Sequence, residues 1–290
     1  RLGMGEFAPV PDLGTAKLDN WAEGHRKQFK HKTWMNSFQV SKQTLEDKQT
    51  GEINTNTTGF LKGFRRTKFN FGIATLAAGL TGEFTFGGEK FKVSSYDSID
   101  GSIESDNKQL LFTKNHQPAE TGKRTTPQSN KFYAIEPNLD EEKWLEILGL
   151  SNEKMMKVTD DNGETEVVDP TTIVIPHHYA QKSMIQRALN TTATSKMGDN
   201  GINIEYGRWT LVPSVHLSQK PGFQEDDNAF ILIDKTYNET YRGGIWYDRV
   251  PLEIEINYDK DNKAMKVDGR ARYSADFFNW RYISYTTIVE

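Results

Sequence analysis

Residues 171–190 read TTIVIPHHYAQKSMIQRALN, and the change of period inside this stretch decides the kind of fold the chain takes. Ile173, Val174 and Ile175 follow one another without a polar break, the pattern of a strand buried on both faces. Beyond Pro176 the spacing becomes helical, with Ala180, Met184, Ile185, Ala188 and Leu189 on one side. Strand and helix therefore alternate. Two further apolar runs, RWTLVPSVHL (208–217) and NAFILIDKTY (228–237), read as strands separated by a polar loop around Pro221 and Asp226. His177 and His178 are metal-ligating residue types, but no third ligand stands at a useful spacing, so they read as structural.

Moving toward the C-terminus, PLEIEINY (251–258) alternates Leu252, Ile254, Ile256 and Tyr258 with Glu253, Glu255 and Asn257. The turn Asp259–Asn262 leads into KAMKVDGRARYSADFF, where Met265, Val267, Ala271, Tyr273, Ala275 and Phe277 share a face. Pairing Tyr258 with Lys263 sets Ile256 opposite Met265, Ile254 opposite Val267 and Glu255 opposite Lys266. The expectation is a long antiparallel ribbon with one buried face.

Toward the N-terminus, residues 1–14 read as an extended arm and Thr15 as the cap of a helix with Leu18, Trp21, Ala22, His25 and Phe29 on one face. Residues 40–115 read as long hairpins, because Phe69, Phe71 and Ile73 alternate with Lys68 and Asn70, and Phe84 and Phe86 repeat that period beyond a glycine-rich bend. Arg65, Arg66 and Lys68 beside Phe64 and Phe69 admit three readings: a charged hairpin edge guarded against aggregation, a grip on nucleic acid, or a contact with an acidic neighbour. After a polar loop at 115–138, Asp140 caps a short helix with Trp144, Leu145 and Leu148 on its apolar face and Gly149 as its stop. VTDDNGETEVV (158–168) reads as two short strands about an Asn162–Gly163 turn, without calcium-loop spacing.

Composition narrows the function. The chain of 290 residues has no cysteine, which removes disulfides, thiol nucleophiles and thiolate metal sites. Its 36 basic and 40 acidic residues leave a net charge of -4, against the strong positive excess of a dedicated nucleic-acid binder. No apolar run approaches the roughly 18 residues of a membrane span. Nucleophile-elbow, phosphate-loop and His-Glu-x-x-His motifs are absent from the sequence. A β-rich carbohydrate hydrolase would need two carboxylates from among Glu253, Glu255, Asp226 and Asp234, yet cross-strand pairing already accounts for Glu253 and Glu255.

The order of elements from Pro170 onward resembles the major capsid proteins of tailed phages, the Hong Kong 97-type fold. The ending VDGRARYSADFFNWRYISY, with its Asn279-Trp280-Arg281 tripeptide, is similar to Mu-like capsid subunits. LAAGLTGEFTFGGEKFKVSSYDS (76–98) resembles those of N4-like phages. The resemblance implies an α+β chain with an N-terminal arm and helix over 1–37 and an extended β-hairpin loop over 38–115. It further implies a peripheral domain over 116–170 and 246–290, carrying the long antiparallel hairpin, and an axial domain over 171–245. A long spine helix belongs to this family, and none is read between Tyr96 and Pro170. Function then lies in self-assembly into an icosahedral shell of hexamers and pentamers around DNA, without catalysis, cofactor, metal or membrane. Scaffold, portal or cement proteins would be possible partners, DNA contact would be at most weak and non-specific, and assembly would take place in a host cytoplasm. The expected assembly contacts are Trp21, Phe29, Arg65, Arg66, Lys68, Phe84, Phe86, Trp280 and Arg281. A tail-tube or decoration protein is the competing structural reading, and the strand and helix at 171–190 speak against it.

Overall fold

A computed structural model describes residues 27, 29–47, 50–95, 109–118, 123–192, 202–259 and 264–289. The chain divides into two compact units: residues 1–27, 77–244 and 277–290 form unit 1, and residues 28–76 and 245–276 form unit 2.

Unit 1 is built on a five-stranded sheet. Its strands are β4 (Lys131–Ile135), β5 (Thr172–Pro176), β6 (Thr210–Ser214), β7 (Phe230–Ile233) and β10 (Ile283–Val289), in the order β4-β10-β7-β5-β6. β10 runs parallel to β4 and antiparallel to β7, while β5 runs antiparallel to β7 and parallel to β6. The central strands β5 and β7 carry the apolar runs Ile173–Ile175 and Phe230–Ile233, as expected where both faces are covered, and Ile173, Ile175, Phe230, Ile231 and Leu232 are fully buried, while the inner strand β10 also buries Ser284, Thr286 and Thr287. Helix α3 (Glu141–Met156) packs Trp144 at a tilt 5.3 Å from Phe230, and its Ser151 hydroxyl meets that of Thr286 at 3.1 Å. Asp140 caps α3 as expected, but the helix continues seven residues past Gly149, because Ser151, Asn152 and Met155 carry its buried stripe onward. Helix α4 (Tyr179–Asn190) buries Ile185, Ala188 and Leu189 as read; Ala180 is exposed, and Gln181 lies inside with its amide donating to the Ala229 carbonyl at 3.1 Å. The strand expected at 228–237 stops at Ile233, where Asp234 caps helix α5 (Lys235–Tyr241). Two short strands, β2 (Glu83–Phe86) and β3 (Glu89–Lys92), form the expected hairpin, with Gly87 and Gly88 at φ 58° and 83° in its turn.

Unit 2 corrects the first half of the reading of 38–115 as hairpins. Residues 50–77 form one helix, α2 (Thr50–Ala77), preceded by strand β1 (Lys32–Val40) and the short helix α1 (Lys42–Glu46). With 28 residues, α2 is about 42 Å long at ~1.5 Å per residue. Alternation of Phe69, Phe71 and Ile73 suggested a strand, whereas Phe60, Phe64 and Phe71 recur at helical spacing and meet the sheet. Phe71 packs edge-on to Trp34 at 5.0 Å, and Phe64 lies 6.3 Å from Tyr273. The sheet itself is β1-β9-β8, from β8 (Gly244–Tyr258) and β9 (Met265–Phe277). β1 pairs antiparallel with β9, Trp34 opposite Ala271 and Phe38 opposite Val267. Gly269 lets α2 lie close against β9: a Cβ there would stand 2.3 Å from the Phe60 ring.

The ribbon is longer than expected, and only part of its apolar face is buried. Val267, Ala271 and Tyr273 are covered; Ile254, Ile256 and Tyr258 are exposed. Its closing bond runs from the Asp259 amide to the Ala264 carbonyl at 2.9 Å. Lys263, the expected partner of Tyr258, lies outside the described residues, as does most of the helix read from Thr15 to Phe29, of which Lys27 and Phe29 are described and are not helical.

Candidate assembly surfaces and the core behind them

The residues expected at assembly contacts divide into surface and interior positions. Trp21 lies outside the described residues. Phe29 packs edge-on against Tyr247 at 5.2 Å. Arg65 and Arg66 are exposed on α2. Lys68 is held within unit 2: its ammonium pairs with Asp248 at 2.7 Å and sits 5.0 Å above the Trp246 ring. Partial burial pulls the Asp248 carboxyl upward, but the Lys68 pairing and the bond from the Trp246 indole together outweigh it and keep the carboxyl below the usual range. Phe84 and Phe86 are half-buried on β2, with Phe84 stacked on Phe91 at 5.2 Å.

Trp280 and Arg281 are interior. Trp280 is 0% exposed and stacks on His116 at 3.9 Å. Arg281 donates from Nη2 to Asp161 Oδ1 at 3.1 Å and from Nε to the Thr159 carbonyl at 2.9 Å. Arg124 Nη2 reaches the same Asp161 oxygen at 3.1 Å. Asp161 sits in the turn at 160–164, where Asp160 Oδ1 accepts from the Asn162 and Glu164 amides at 2.8 and 2.9 Å. Gly163, at φ 89°, completes that turn. One carboxylate thus ties segments 124, 161 and 281 together. His116 completes the cluster, its Nε2 facing Asn130 Oδ1 at 2.9 Å. Burial pushes its pKa down to about 3, and the nearby Arg281 and Arg124 cations add to this against the opposing Asn130 bond. Direct contact with a neighbour is closed to Trp280 in this conformation; its work is to seat the β9–β10 turn on the core.

A surface the sequence reading missed lies between α4 and β6. In the stretch Ile202–Tyr206 the polar residues point in and the apolar ones out. Asn203 is buried and donates to the Ala188 and Thr191 carbonyls at 2.9 and 2.7 Å, closing the C-terminal end of α4. Glu205 is buried and accepts from the Trp209 indole. Ile202, Ile204 and Tyr206 are left 76%, 86% and 55% exposed, and Val212 and Val215 follow at 40% and 58%. The signal was the alternation in INIEY, whose inward phase can be assigned only once Asn203 is known to serve α4.

The carboxylates considered for hydrolysis do not converge. Asp234 accepts from the Tyr237 amide at 2.9 Å and the Asp169 amide at 2.7 Å, so both its oxygens serve backbone donors. Asp226 sits on an exposed 3-10 turn, and Glu253 and Glu255 are exposed on β8. Among the described residues no group of three His, Asp or Glu side chains is placed to hold a metal ion. His178 instead meets the Phe223 carbonyl at 3.0 Å, and His177 faces the Lys182 ammonium at 3.2 Å. No described helix is long and apolar enough to cross a membrane.

The two units define a mixed α+β fold of the kind found in phage capsid chains. A chain from the capsid of cyanophage P-SCSP1u superposes over 99% of this chain and 82% of its own length, with a TM-score of 0.50 and 8% identity. Chains from the capsid of Myoviridae phage XM1 (TM-score 0.49, 10% identity, covering 100% of this chain and 83% of that one) and the mature capsid of bacteriophage PhiM1 (TM-score 0.46, 12% identity, 99% and 80%) also match. No protein-family model and no curated protein matches the sequence.

Proposed function

We propose that this chain is the major capsid protein of a tailed double-stranded DNA virus, assembling into an icosahedral shell around the genome. The observation that carries this reading is the shared fold with the cyanophage P-SCSP1u capsid chain. The inside-out stretch at Ile202–Tyr206 supports it, since outward isoleucines next to inward polar residues cost a solitary subunit and repay one with neighbours. In this reading α2 is the spine helix of the Hong Kong 97-type fold. Unit 2, with α2 and the ribbon, takes the peripheral role and unit 1 the axial role, which moves residues 116–170 and 277–290 out of the peripheral domain read for them in the sequence. Residues 1–14, read as an extended arm, lie outside the described residues. The shell is held by many modest contacts acting together, with the virion as its location.

The test is light scattering and negative-stain electron microscopy on the purified chain and on Ile204→Lys. Wild-type protein should form shells or rings of five or six; Ile204→Lys should keep the wild-type melting temperature and lose the assemblies. Wild-type protein that stays monomeric across concentration and salt, with or without a scaffold protein, would sink the proposal.

A further inference from the structure

Between Ile53 and Ala77, α2 contains no Asp or Glu and four cations, Lys62, Arg65, Arg66 and Lys68. The whole chain carries -4, so this one segment at +4 leaves -8 on the remainder. Lys68 is committed to Asp248. Lys62, Arg65 and Arg66 are exposed and make no ion pair among the described residues. Positions 62, 65 and 66 share a helix face, within about 6 Å of axial rise at ~1.5 Å per residue. On the N-terminal side the helix exposes Asn54, Thr55, Asn56, Thr57 and Thr58, uncharged side chains of the kind that touch phosphate and sugar without reading sequence. A solvated helix in an acidic protein ordinarily mixes charges along its surface. This one concentrates a single sign on a face with no acid near it in sequence.

We propose that the Lys62–Arg65–Arg66 strip of α2 is a binding surface for the phosphate backbone of duplex DNA, and so marks the face of the subunit that looks into the shell. Identifying the polyanion as the packaged duplex rests on the shell reading above. The strip binds without sequence preference, engaging two or three phosphates per subunit. Its affinity per subunit is small, and repetition over a shell makes it effective. This assigns Arg65 and Arg66 to the nucleic acid and not to a neighbouring subunit.

The experiment measures fluorescence anisotropy of a labelled 20-base-pair duplex against the full chain from 50 to 200 mM salt, beside electron microscopy of the same samples. Three contacts give a log–log salt slope of about -2.7, an affinity loss of roughly 40-fold over that range. R65E/R66E should flatten this to about three- or fourfold, R65Q/R66Q should do the same, and both should still assemble. K123E/K235E changes net charge by the same amount on exposed lysines of unit 1, and should keep the wild-type slope. Equal slopes in wild type and R65E/R66E, or equal flattening in K123E/K235E, would overturn the inference. So would loss of shells in R65E/R66E with DNA affinity unchanged, which would put the strip in a subunit contact. Wild-type protein that binds DNA through the strip yet never assembles would uphold the site and remove the shell reading.

Discussion

Asp161→Asn should be among the most damaging isosteric changes in unit 1. Asp161 Oδ1 accepts from Arg124 and from Arg281, each at 3.1 Å, and the side chains of the two arginines are 3% and 9% exposed. Replacing the carboxylate with an amide keeps the shape and leaves two buried guanidinium groups without that counter-charge. Breaking a buried pair by removing one partner costs about 3–5 kcal/mol. Each arginine keeps a carbonyl, Thr126 for Arg124 at 2.7 Å and Thr159 for Arg281 at 2.9 Å, which holds the loss near the lower end. Taking about 3 kcal/mol and a urea slope of about 3 kcal/mol/M, the midpoint should fall by about 1 M with the slope unchanged. Equilibrium urea unfolding of unassembled subunits, followed by fluorescence, measures this directly. A fall of less than about 0.3 M, near 1 kcal/mol at that slope, would show that the cluster is solvated and would refute the reasoning.

Acid should weaken the fold through His116, whose folded pKa is pushed by burial down to about 3 from the ordinary histidine value of 6.5. The unfolded chain binds this proton first, so stability is full above about pH 6.5 and is lost as pH falls toward 3; the loss between pH 7 and 5 is about 2 kcal/mol. Urea midpoints against pH should show that loss, and His116→Gln should remove it; an unchanged slope in the variant would locate the acid sensitivity elsewhere. Gly269→Ala places a Cβ 2.3 Å from the Phe60 ring and should cost about 1–3 kcal/mol in a thermal melt. Gly207→Ala, at φ 73° with open space around it, should cost only the backbone term of about 1–2 kcal/mol.

What was legible in the sequence was whatever one element decides alone. The run Ile173–Ile175 and the helix after it, the Gly87–Gly88 hairpin and the ribbon's alternation all carry their own period. Helix α2 was misread because its residues argue locally against it. Thr, Asn and Gly crowd its first half, all weak helix formers, and Phe69, Phe71 and Ile73 imitate a strand. Its true stripe of Phe60, Phe64 and Phe71 has meaning only against Trp34 and Tyr273, which belong to β1 and β9. Tertiary packing overrides propensity there. The Asp161 cluster was invisible for a related reason: Arg124, Asp161 and Arg281 are far apart in the chain, and no local pattern marks a charge that will be buried.

The two exposed apolar stretches are incomplete in different ways. Along β8 the alternation runs unbroken through Leu252, Ile254, Ile256 and Tyr258, but cover fails beyond Leu252, leaving the last three 45%, 59% and 69% exposed. At Ile202–Tyr206 the polar phase faces inward because Asn203 must serve the end of α4, so the isoleucines face out by construction. A monomer selected for solubility would place polar residues at either site at no cost to its core, since none of these side chains supports the interior. Polar replacement would leave the ribbon's hydrogen bonds and the Asn203 cap intact. The isoleucines and tyrosines at these positions therefore make physical sense as parts of interfaces that single subunits lack, which is what the proposed function requires of them.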